Sequence, residues 1–370
     1  MPLSLFIDAL PYNEMKKNYA NWFDNMQIAE LLPNIAYSSS LHWQLYANKY
    51  PDERGVLVDW VKEPEKNKLV CFLSKVLSPL DHFGQLGMLS KKFLDRIVFR
   101  KNVFANIPFQ FRKDFSEKGS YLFWDENVYK KEPIFNGYTV VSQDEGHLSF
   151  EETKFRLDKA IEDGNKNIFG VFGFADSIGH KCQRGELYSQ RISGYLTRLQ
   201  ESIRAYKEKY PQEPVLIVSD HGMSTVKASI DLNLEKKFGK QGRNTYIAYS
   251  DSAVMCVWAN DEKLGCGISE YLRTREEGHL LTEKEREFFK VTDRKFGDII
   301  YILREGYVFE NNWFGKSIRK SSADGLGMHG FWPEWEARDS MAAIILIDGK
   351  EKLEERYDYI SAHDIIQRIM

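Results

Sequence analysis

The chain has 370 residues, of which 43% are hydrophobic and 28% are charged. This length is enough for one large α/β domain or two ordinary ones, each with a buried core. The 51 basic and 54 acidic side chains give a formal net charge of −3, so the composition provides no basic surface for nucleic acid. No segment approaches the roughly 20 apolar residues that a membrane-spanning helix needs.

The N-terminal residues enter a strand-like run directly. They contain no basic segment followed by a long apolar one, so no secretory signal is recognised. The four cysteines, at positions 71, 182, 256 and 266, lack CxxC spacing, and neither a disulfide framework nor a structural zinc module is expected. We therefore expect a cytoplasmic protein. The sequence gives no indication of its oligomeric state.

Four short apolar runs predict strands that are buried on both faces of a parallel sheet. They occupy residues 3–8, 167–174, 215–220 and 341–348. Apolar residues at helical spacing between 187 and 206 predict a crossover helix. This order predicts an α/β fold, with a doubly wound, mostly parallel sheet, helices on both faces and inserted subdomains. Ligands bind at the carboxyl ends of such strands, where Asp8, Asp176 and Asp220 are expected.

Two long segments interrupt this pattern, and we interpret them as inserts in a single domain that covers residues 1–370. The first, at about 60–148, is rich in aromatic residues and lacks core strands, which favours an inserted, cap-like subdomain that shapes a substrate site. The second, at about 225–340, contains strand-like runs at 253–258 and 298–303 and ends at the loop that carries His329.

Three aspartates and three histidines of the sequence form two sets of possible ligands for divalent metals. Asp176 and His180 are spaced so that both lie on one side of a turn and can bind one ion. Asp220 and His221 leave a strand in different directions, so they can bind two ions or converge on one. Each of these patterns alone is more typical of a helix cap or a turn than of a metal site. Together they favour a two-metal site, because two ions about 4 Å apart bind both oxygens of an in-line displacement.

The motifs follow one another in a recognisable order over nearly the whole chain. In that order they are Phe6-Ile7-Asp8, Ser38 ahead of Tyr50-Pro51-Asp52-Glu53-Arg54-Gly55, Phe174-Ala175-Asp176-Ser177-Ile178-Gly179-His180, Val218-Ser219-Asp220-His221-Gly222-Met223, and Gly327-Met328-His329-Gly330. This combination resembles the alkaline phosphatase superfamily, and most of all its nucleotide pyrophosphatase/phosphodiesterase branch.

The resemblance implies two divalent metal ions and a covalent mechanism. The ligands of the first ion are implied to be Asp8, Ser38, Asp220 and His221, and those of the second Asp176, His180 and His329. Three histidines favour Zn²⁺, while Mn²⁺ or Fe also fit the mixed ligand set. The serine is implied to attack phosphorus, with its pKa lowered by the first ion, and to form a phosphoryl-serine intermediate. The second ion is implied to stabilise the leaving oxygen and then to activate water.

The position of the nucleophile depends on the alignment. An ungapped count back from Tyr50-Pro51 selects Ser38, whereas a one-residue gap selects Ser39. Serines in this segment also suit the N-cap of the helix that follows. We predict Ser38 as the nucleophile and keep Ser39 as the alternative.

One position expected to contact substrate differs from the residue that the phosphodiesterase branch has there. Asp59 stands where the branch has an asparagine that donates to a phosphate oxygen, and an ionised carboxylate there would repel the phosphate. Asp59 is therefore expected to be displaced, protonated, paired with a cation or in contact with another part of the substrate. Lys181 is a second candidate for substrate binding.

Val171 replaces the glutamate with which alkaline phosphatases bind a third metal, and the aldehyde-forming motif of sulfatases is absent around Ser38.

These patterns predict a metal-dependent phosphoric ester hydrolase with a small-molecule phosphoester substrate, acting as a phosphodiesterase or nucleotide pyrophosphatase. The alternative on the same fold is a phosphomonoesterase or a phosphomutase-type transferase. A non-catalytic binding protein is the third possibility, because fold does not determine function. The presence of all six carboxylate and histidine ligands favours an enzyme.

Overall fold

A computed structural model describes residues 2–35, 37–100, 103–104, 107–118, 124–143, 149–310, 314, 326–336 and 338–370. The chain divides into two compact units. The first unit comprises Met1–Tyr50, Ser120–Lys227 and Ala323–Met370, and the second comprises Pro51–Gly119 and Ala228–Ser322. Within the part of the chain that the structure describes, no helix is long and apolar enough to span a membrane.

The strands, in chain order, are β1 Leu3–Ile7, β2 Met26–Leu31, β3 Trp60–Val61, β4 Ser116–Glu117, β5 Thr139–Ser142, β6 Ile168–Phe172, β7 Val215–Val218, β8 Ser224–Thr225, β9 Ala228–Ile230, β10 Tyr246–Asp251, β11 Val254–Ala259, β12 Gly278–Leu280, β13 Ile299–Leu303, β14 Tyr307–Phe309, β15 Gly327–Met328, β16 Ala342–Ile347 and β17 Arg356–Tyr357.

The helices, in chain order, are α1 Tyr12–Asn18, α2 Ser38–Ala47, α3 Pro51–Arg54, α4 Lys68–Leu77, α5 Gly84–Phe93, α6 Phe109–Arg112, α7 Glu126–Tyr129, α8 Phe150–Glu162, α9 Phe174–Gly179, α10 Glu186–Lys209, α11 Leu234–Phe238, α12 Glu262–Arg273, α13 Glu283–Phe288 and α14 Tyr359–Ile369. Short 3₁₀ turns lie at Ser78–His82, Pro133–Phe135, Arg294–Phe296 and Arg338–Ser340, and a π-helical turn at Leu94–Phe99.

The first unit is built on a seven-stranded sheet with the order β17-β2-β16-β7-β1-β6-β5. β1 pairs in parallel with both β6 and β7, and β5 pairs in parallel with β6. β16 is antiparallel to β7 and β2. The predicted α/β fold with a mostly parallel sheet is confirmed, and all four predicted strands are present. The strand predicted at 341–348 is antiparallel to its neighbours. The sequence could not show this, because an entirely apolar run indicates burial on both faces but not the direction of the strand.

Helices cover both faces of this sheet, which explains why its central strands are apolar throughout. Alternate residues of a strand point to opposite faces. Leu5 therefore packs in the core formed with α8, α9 and α10. Its neighbour Phe6 packs in the core formed with α2 and α14. The predicted crossover helix is α10, and its apolar face belongs to the first of these cores.

The second unit contains a four-stranded antiparallel sheet with the order β10-β11-β13-β12. The pairs β3–β4 and β9–β14 complete its strands among the described residues. Its two chain segments fall within or near the inserts predicted at about 60–148 and 225–340, whose role in shaping a substrate site stays a prediction. Residues 124–143 belong to the first unit, where β5 joins the main sheet. Parts of both predicted inserts, among them residues 119–123 and 315–325, lie outside the described residues.

Candidate active site

Three aspartates converge at the carboxyl edge of the main sheet. β7, β1 and β6 are adjacent in the sheet, so the loops that follow them meet at one edge. Asp8 directly follows β1, Asp220 lies two residues after β7, and Asp176 lies in α9, which begins just after β6. Asp8 and Asp220 are 4% and 0% exposed. The sheet thus brings together three carboxylates that are far apart in sequence.

Ser38 lies beside this group, at the start of α2. Its Oγ is 3.1 Å from Asp8 Oδ1 and 3.0 Å from His221 Nε2. Tyr37 precedes it in an extended conformation and serves as the N-cap of the helix. Ser39 is also buried, but among the hydrogen bonds of the described residues none connects its hydroxyl to the carboxylates or histidines. Of the two serines, the structure brings Ser38 into the cluster.

A backbone carbonyl orients the ring of His221, the histidine of the first predicted set. His221 Nδ1 donates to the carbonyl of Gly222 at 2.8 Å, which leaves Nε2 directed at the carboxylates. Nε2 lies 3.4 Å from Asp8 Oδ1 and 3.5 Å from Asp220 Oδ2. The other oxygen of Asp220 accepts from the N–H of His221 at 3.0 Å. The four residues predicted to bind the first ion therefore lie together.

The second predicted set gathers on α9 and on the loop that follows β15. Asp176 Oδ1 is 3.1 Å from His180 Nε2 and 3.5 Å from His329 Nε2. His180 Nδ1 donates to the carbonyl of Gly327 at 3.1 Å. Possible ligand atoms of these three residues all lie within 4.8 Å of one another, as do those of Asp8, Asp176 and His221. The His221 and His329 rings stack 3.8 Å apart, so the two sets form one cluster.

The electrostatics of the cluster are those of a site for cations. Burial, together with the charges of Asp220 and Asp176, raises the pKa of Asp8 well above its usual value. Burial also opposes ionisation of Asp176, but the hydrogen bond and charge of His180 and the charges of two further histidines lower its pKa to about 2. Burial, and then the charge of His221, lowers the pKa of His329. A neutral imidazole beside buried carboxylates is the form that binds a metal.

Two buried atoms without hydrogen bonds also support a cation site. Asp220 Oδ2 and His329 Nδ1 are buried, and neither forms a hydrogen bond with the described residues. Buried polar atoms are normally paired, because an unpaired one loses its hydration without compensation. Carboxylate and imidazole are also the side chains that bind zinc, manganese and iron. The residues present therefore fit divalent metal ions.

Glycines that surround the histidines were not predicted to matter, yet they determine the shape of the site. A Cβ on Gly327 would lie 2.3 Å from the carbonyl oxygen of Gly179, and one on Gly222 would lie 2.4 Å from that of Asp339. The sequence did contain a signal, since a glycine adjoins or nearly adjoins each of the three histidines. Their importance comes from backbones that approach closely, which only the folded chain reveals.

Replacing Gly327 by alanine is expected to lower the free energy of unfolding by about 2–3 kcal/mol, because the added methyl group meets backbone that cannot rotate away. Gly194→Ala is the matched control. Gly194 lies within α10, where a Cβ meets nothing within 4 Å, so alanine should stabilise the helix by about 0.5–1 kcal/mol. Urea unfolding of both variants measures the two opposite effects. A neutral Gly327→Ala would contradict the close packing.

The two predicted substrate contacts lie in different units. Lys181 is exposed just after α9 and lines a surface cavity of about 450 Å³ with Arg191 and Tyr195. Asp59 belongs to the second unit, where its charge acts on the carboxyl of Asp251. Neither position shows what these residues bind, and both roles stay predictions.

Asp251 and Asp59 make the stability of the chain depend on pH. Burial, and then the charge of Asp59, raises the pKa of Asp251 from 3.8 to about 6, although the hydroxyls of Tyr249 and Ser252 donate to it. The folded chain thus keeps this proton at pH values where the unfolded chain has lost it. Stability therefore falls as the pH rises from about 4 to 6.

We expect Asp251→Asn to raise the free energy of unfolding by about 2 kcal/mol near pH 7.5 and to change little near pH 4. Urea unfolding at both pH values measures the difference. Glu276→Gln, at an exposed carboxyl of the same unit, is the control and should be neutral at both. An equal effect of Asp251→Asn at the two pH values would rule out this ionisation as the cause.

A mostly parallel sheet with a carboxylate and histidine cluster at its carboxyl edge is the arrangement expected of hydrolases of the alkaline phosphatase superfamily. The family model for type I phosphodiesterase / nucleotide pyrophosphatase matches residues 36–332, and the chain belongs to this family. A phosphodiesterase-type hydrolase is therefore established as its class.

Solved structures show the same fold. Human ectonucleotide pyrophosphatase / phosphodiesterase 5 is 14% identical, with a TM-score of 0.64 over 100% of this chain and 94% of its own. The murine protein of the same name is 15% identical, with a TM-score of 0.60 over 100% and 95%. An inactive variant of the murine protein in complex with AMP is 14% identical, with a TM-score of 0.61 over 100% and 94%. No curated protein sequence matches the chain significantly.

Proposed function

We propose that this chain is a two-metal phosphodiesterase or nucleotide pyrophosphatase that acts through a phosphoryl-serine intermediate. The observation that supports this proposal is the position of the Ser38 hydroxyl, which lies within hydrogen-bonding distance of both Asp8 and His221. Family membership supports phosphodiester chemistry. The serine and the ligand cluster around it support the covalent route.

Two divalent ions would occupy the cluster. Asp8, Ser38, Asp220 and His221 would hold one, and Asp176, His180 and His329 the other. Ions bound there would lower the pKa of a hydroxyl and neutralise charge on the phosphoryl group. We propose Zn²⁺ because three of the ligands are histidines, while Mn²⁺ or Fe also suits the mixed set.

The chain itself contributes the nucleophile and its orientation. Ser38 Oγ loses its proton to solvent and forms a bond to phosphorus while the bond from phosphorus to the leaving oxygen breaks. The serine then carries the phosphoryl group with its remaining ester substituent, and water attacks that phosphorus and breaks its bond to Oγ. Ser38 begins α2, a helix of ten residues, whose positive end favours negative charge at this position. His221 cannot rotate freely, because Gly222 accepts from its Nδ1. The site therefore positions the reacting oxygen before substrate arrives.

A nucleotide-containing phosphodiester or pyrophosphate is the substrate class that we propose. The structurally similar murine protein was solved with AMP, and AMP is one product expected when an adenylate ester is cleaved. Asp59 and Lys181 remain proposed substrate contacts. The cytoplasmic location also stays a prediction.

A comparison of two aryl substrates tests the proposed reaction. We expect kcat/KM for bis(p-nitrophenyl) phosphate to exceed that for p-nitrophenyl phosphate by at least about tenfold, with zinc or manganese supplied. An adenylate ester and a sugar nucleotide extend the series to natural leaving groups. Asp176→Asn, purified in parallel, reveals any contaminating phosphatase. A reversed preference would favour the phosphomonoesterase or phosphomutase-type alternative. Inactivity toward every substrate would favour a binding protein.

A further inference from the structure

The second unit exposes an unusual number of large apolar side chains within one segment. Of the fourteen large hydrophobic residues that are exposed in the described part of the chain, nine lie between positions 69 and 98. They are 46% to 62% exposed. These nine residues, called the apolar ridge below, are Leu69, Phe72, Val76, Phe83, Leu86, Leu89, Phe93, Ile97 and Val98.

The apolar ridge is not needed for the local core. Among the described residues the local core is a buried cluster that contains Val70, Leu94, Phe104 and Phe109, and no residue of the apolar ridge belongs to it. In α4 the exposed apolar positions are spaced by three and four residues, and the same spacing recurs in α5. Each helix thus exposes an apolar stripe. Exposed apolar surface of this extent marks a site of interaction.

The side chains that flank the apolar ridge are basic. Residues 66–100 contain seven lysines and arginines against two aspartates, a formal charge of +5 in a chain whose net charge is −3. Six of the basic residues are exposed, namely Lys66, Lys68, Lys75, Lys92, Arg96 and Arg100.

Both aspartates of this segment form hydrogen bonds within the second unit. Asp81 accepts from the N–H groups of Phe109 and Gln110, and Lys91 pairs with it. Asp95 is buried and accepts from the N–H groups of Val103 and Phe104. The exposed charges of residues 66–100 are therefore all positive.

We propose that the apolar ridge and its basic flanks bind the surface of a lipid bilayer that contains anionic phospholipids. Helices that expose an apolar stripe beside lysines and arginines lie in the bilayer interface, with the stripe among the acyl chains and the cations at the headgroups. A second copy of the chain fits less well, because a symmetric contact would bring two positive surfaces together. Lysine, which supplies four of the six exposed basic residues, is also depleted at protein interfaces.

Vesicle co-sedimentation of the full chain tests this proposal independently of the catalytic one. We expect binding to vesicles of phosphatidylcholine mixed with phosphatidylglycerol, weaker binding to phosphatidylcholine alone, and a decrease with added salt. Phe72→Ser with Phe93→Ser should lower the partition coefficient at least about tenfold. Lys92→Ala with Arg96→Ala should lower it by a similar factor on the anionic vesicles alone.

Phe155→Ser with Phe288→Ser is the matched control, because these phenylalanines are 68% and 59% exposed but lie outside the apolar ridge. This variant should bind vesicles as the original chain does. Circular dichroism and thermal unfolding establish that each variant is folded. Failure of the original chain to bind anionic vesicles overturns the proposal, and so does unchanged binding by a folded ridge variant. Self-association or protein capture that the ridge variant loses, without vesicle binding, identifies another occupant and equally overturns it.

Discussion

Replacing Ser38 by alanine is expected to lower kcat for bis(p-nitrophenyl) phosphate by at least about 10³-fold, because it removes the attacking oxygen and leaves only binding and electrostatic contributions. The hydroxyl lies 3.1 Å from Asp8 Oδ1 and 3.0 Å from His221 Nε2, and no hydrogen bond among the described residues connects the hydroxyl of Ser39 to these two groups. Steady-state kinetics at saturating substrate measure the effect.

Ser39→Ala is the matched control, since Ser39 follows directly in the same helix and is equally buried. We expect it to keep kcat within about threefold, the range of an indirect effect on a neighbouring residue. Acid quenching during turnover of bis(p-nitrophenyl) phosphate should trap one p-nitrophenylphosphoryl group on the peptide that contains Ser38. A large loss in Ser39→Ala, with Ser38→Ala nearly unaffected, would transfer the nucleophile to Ser39.

Removal of metal should abolish activity and lower thermal stability together. Without a cation, the buried carboxylates of Asp8 and Asp220 lie beside Asp176, and only the histidines of the cluster offset their mutual repulsion. Ligands that bind only the folded chain stabilise it by about 4 kcal/mol at a thousand times their dissociation constant. Chelation should thus lower the melting temperature by roughly 5–10 °C and reduce kcat at least about 10³-fold. Scanning calorimetry and activity after zinc is restored measure both.

Single ligand variants distinguish two ions from one. We expect His329→Ala to lose about one metal equivalent and about half of the metal-dependent rise in melting temperature. His279→Ala is the control, because this histidine pairs with Glu285 in the second unit and should leave both ions bound. Elemental analysis after dialysis counts them. A chain that binds no transition metal, and gains no activity when metals are supplied, would refute the metal-dependent mechanism.

The main strands could be recognised in the sequence because their burial is nearly uniform. Every residue of β1, β6, β7 and β16 is buried, and continuous apolar runs result. β2 escaped prediction because its sequence mixes polar and apolar residues, and the first half of the strand is only partly buried. β17 has two residues, too few for any periodicity. The direction of the strands could not be predicted from the sequence either, as the antiparallel β16 shows.

The sequence by itself determined which residues could form the site. The carboxylates, histidines and serine follow recognisable motifs, and the strands that precede Asp8 and Asp220 direct them to one edge of the sheet. Only the tertiary structure decided that Ser38 rather than Ser39 lies beside Asp8, and that Gly222 and Gly327 orient the histidine rings.

The same distinction applies to the apolar ridge. Its leucines and phenylalanines are visible in the sequence, where they are equally typical of a core. Their exposure depends on which helix faces find partners elsewhere in the chain, and helical periodicity carries no information about those contacts. The chemistry of the site follows from residue types and local spacing. Its geometry and the exposed surface follow from long-range packing, which a local pattern cannot contain.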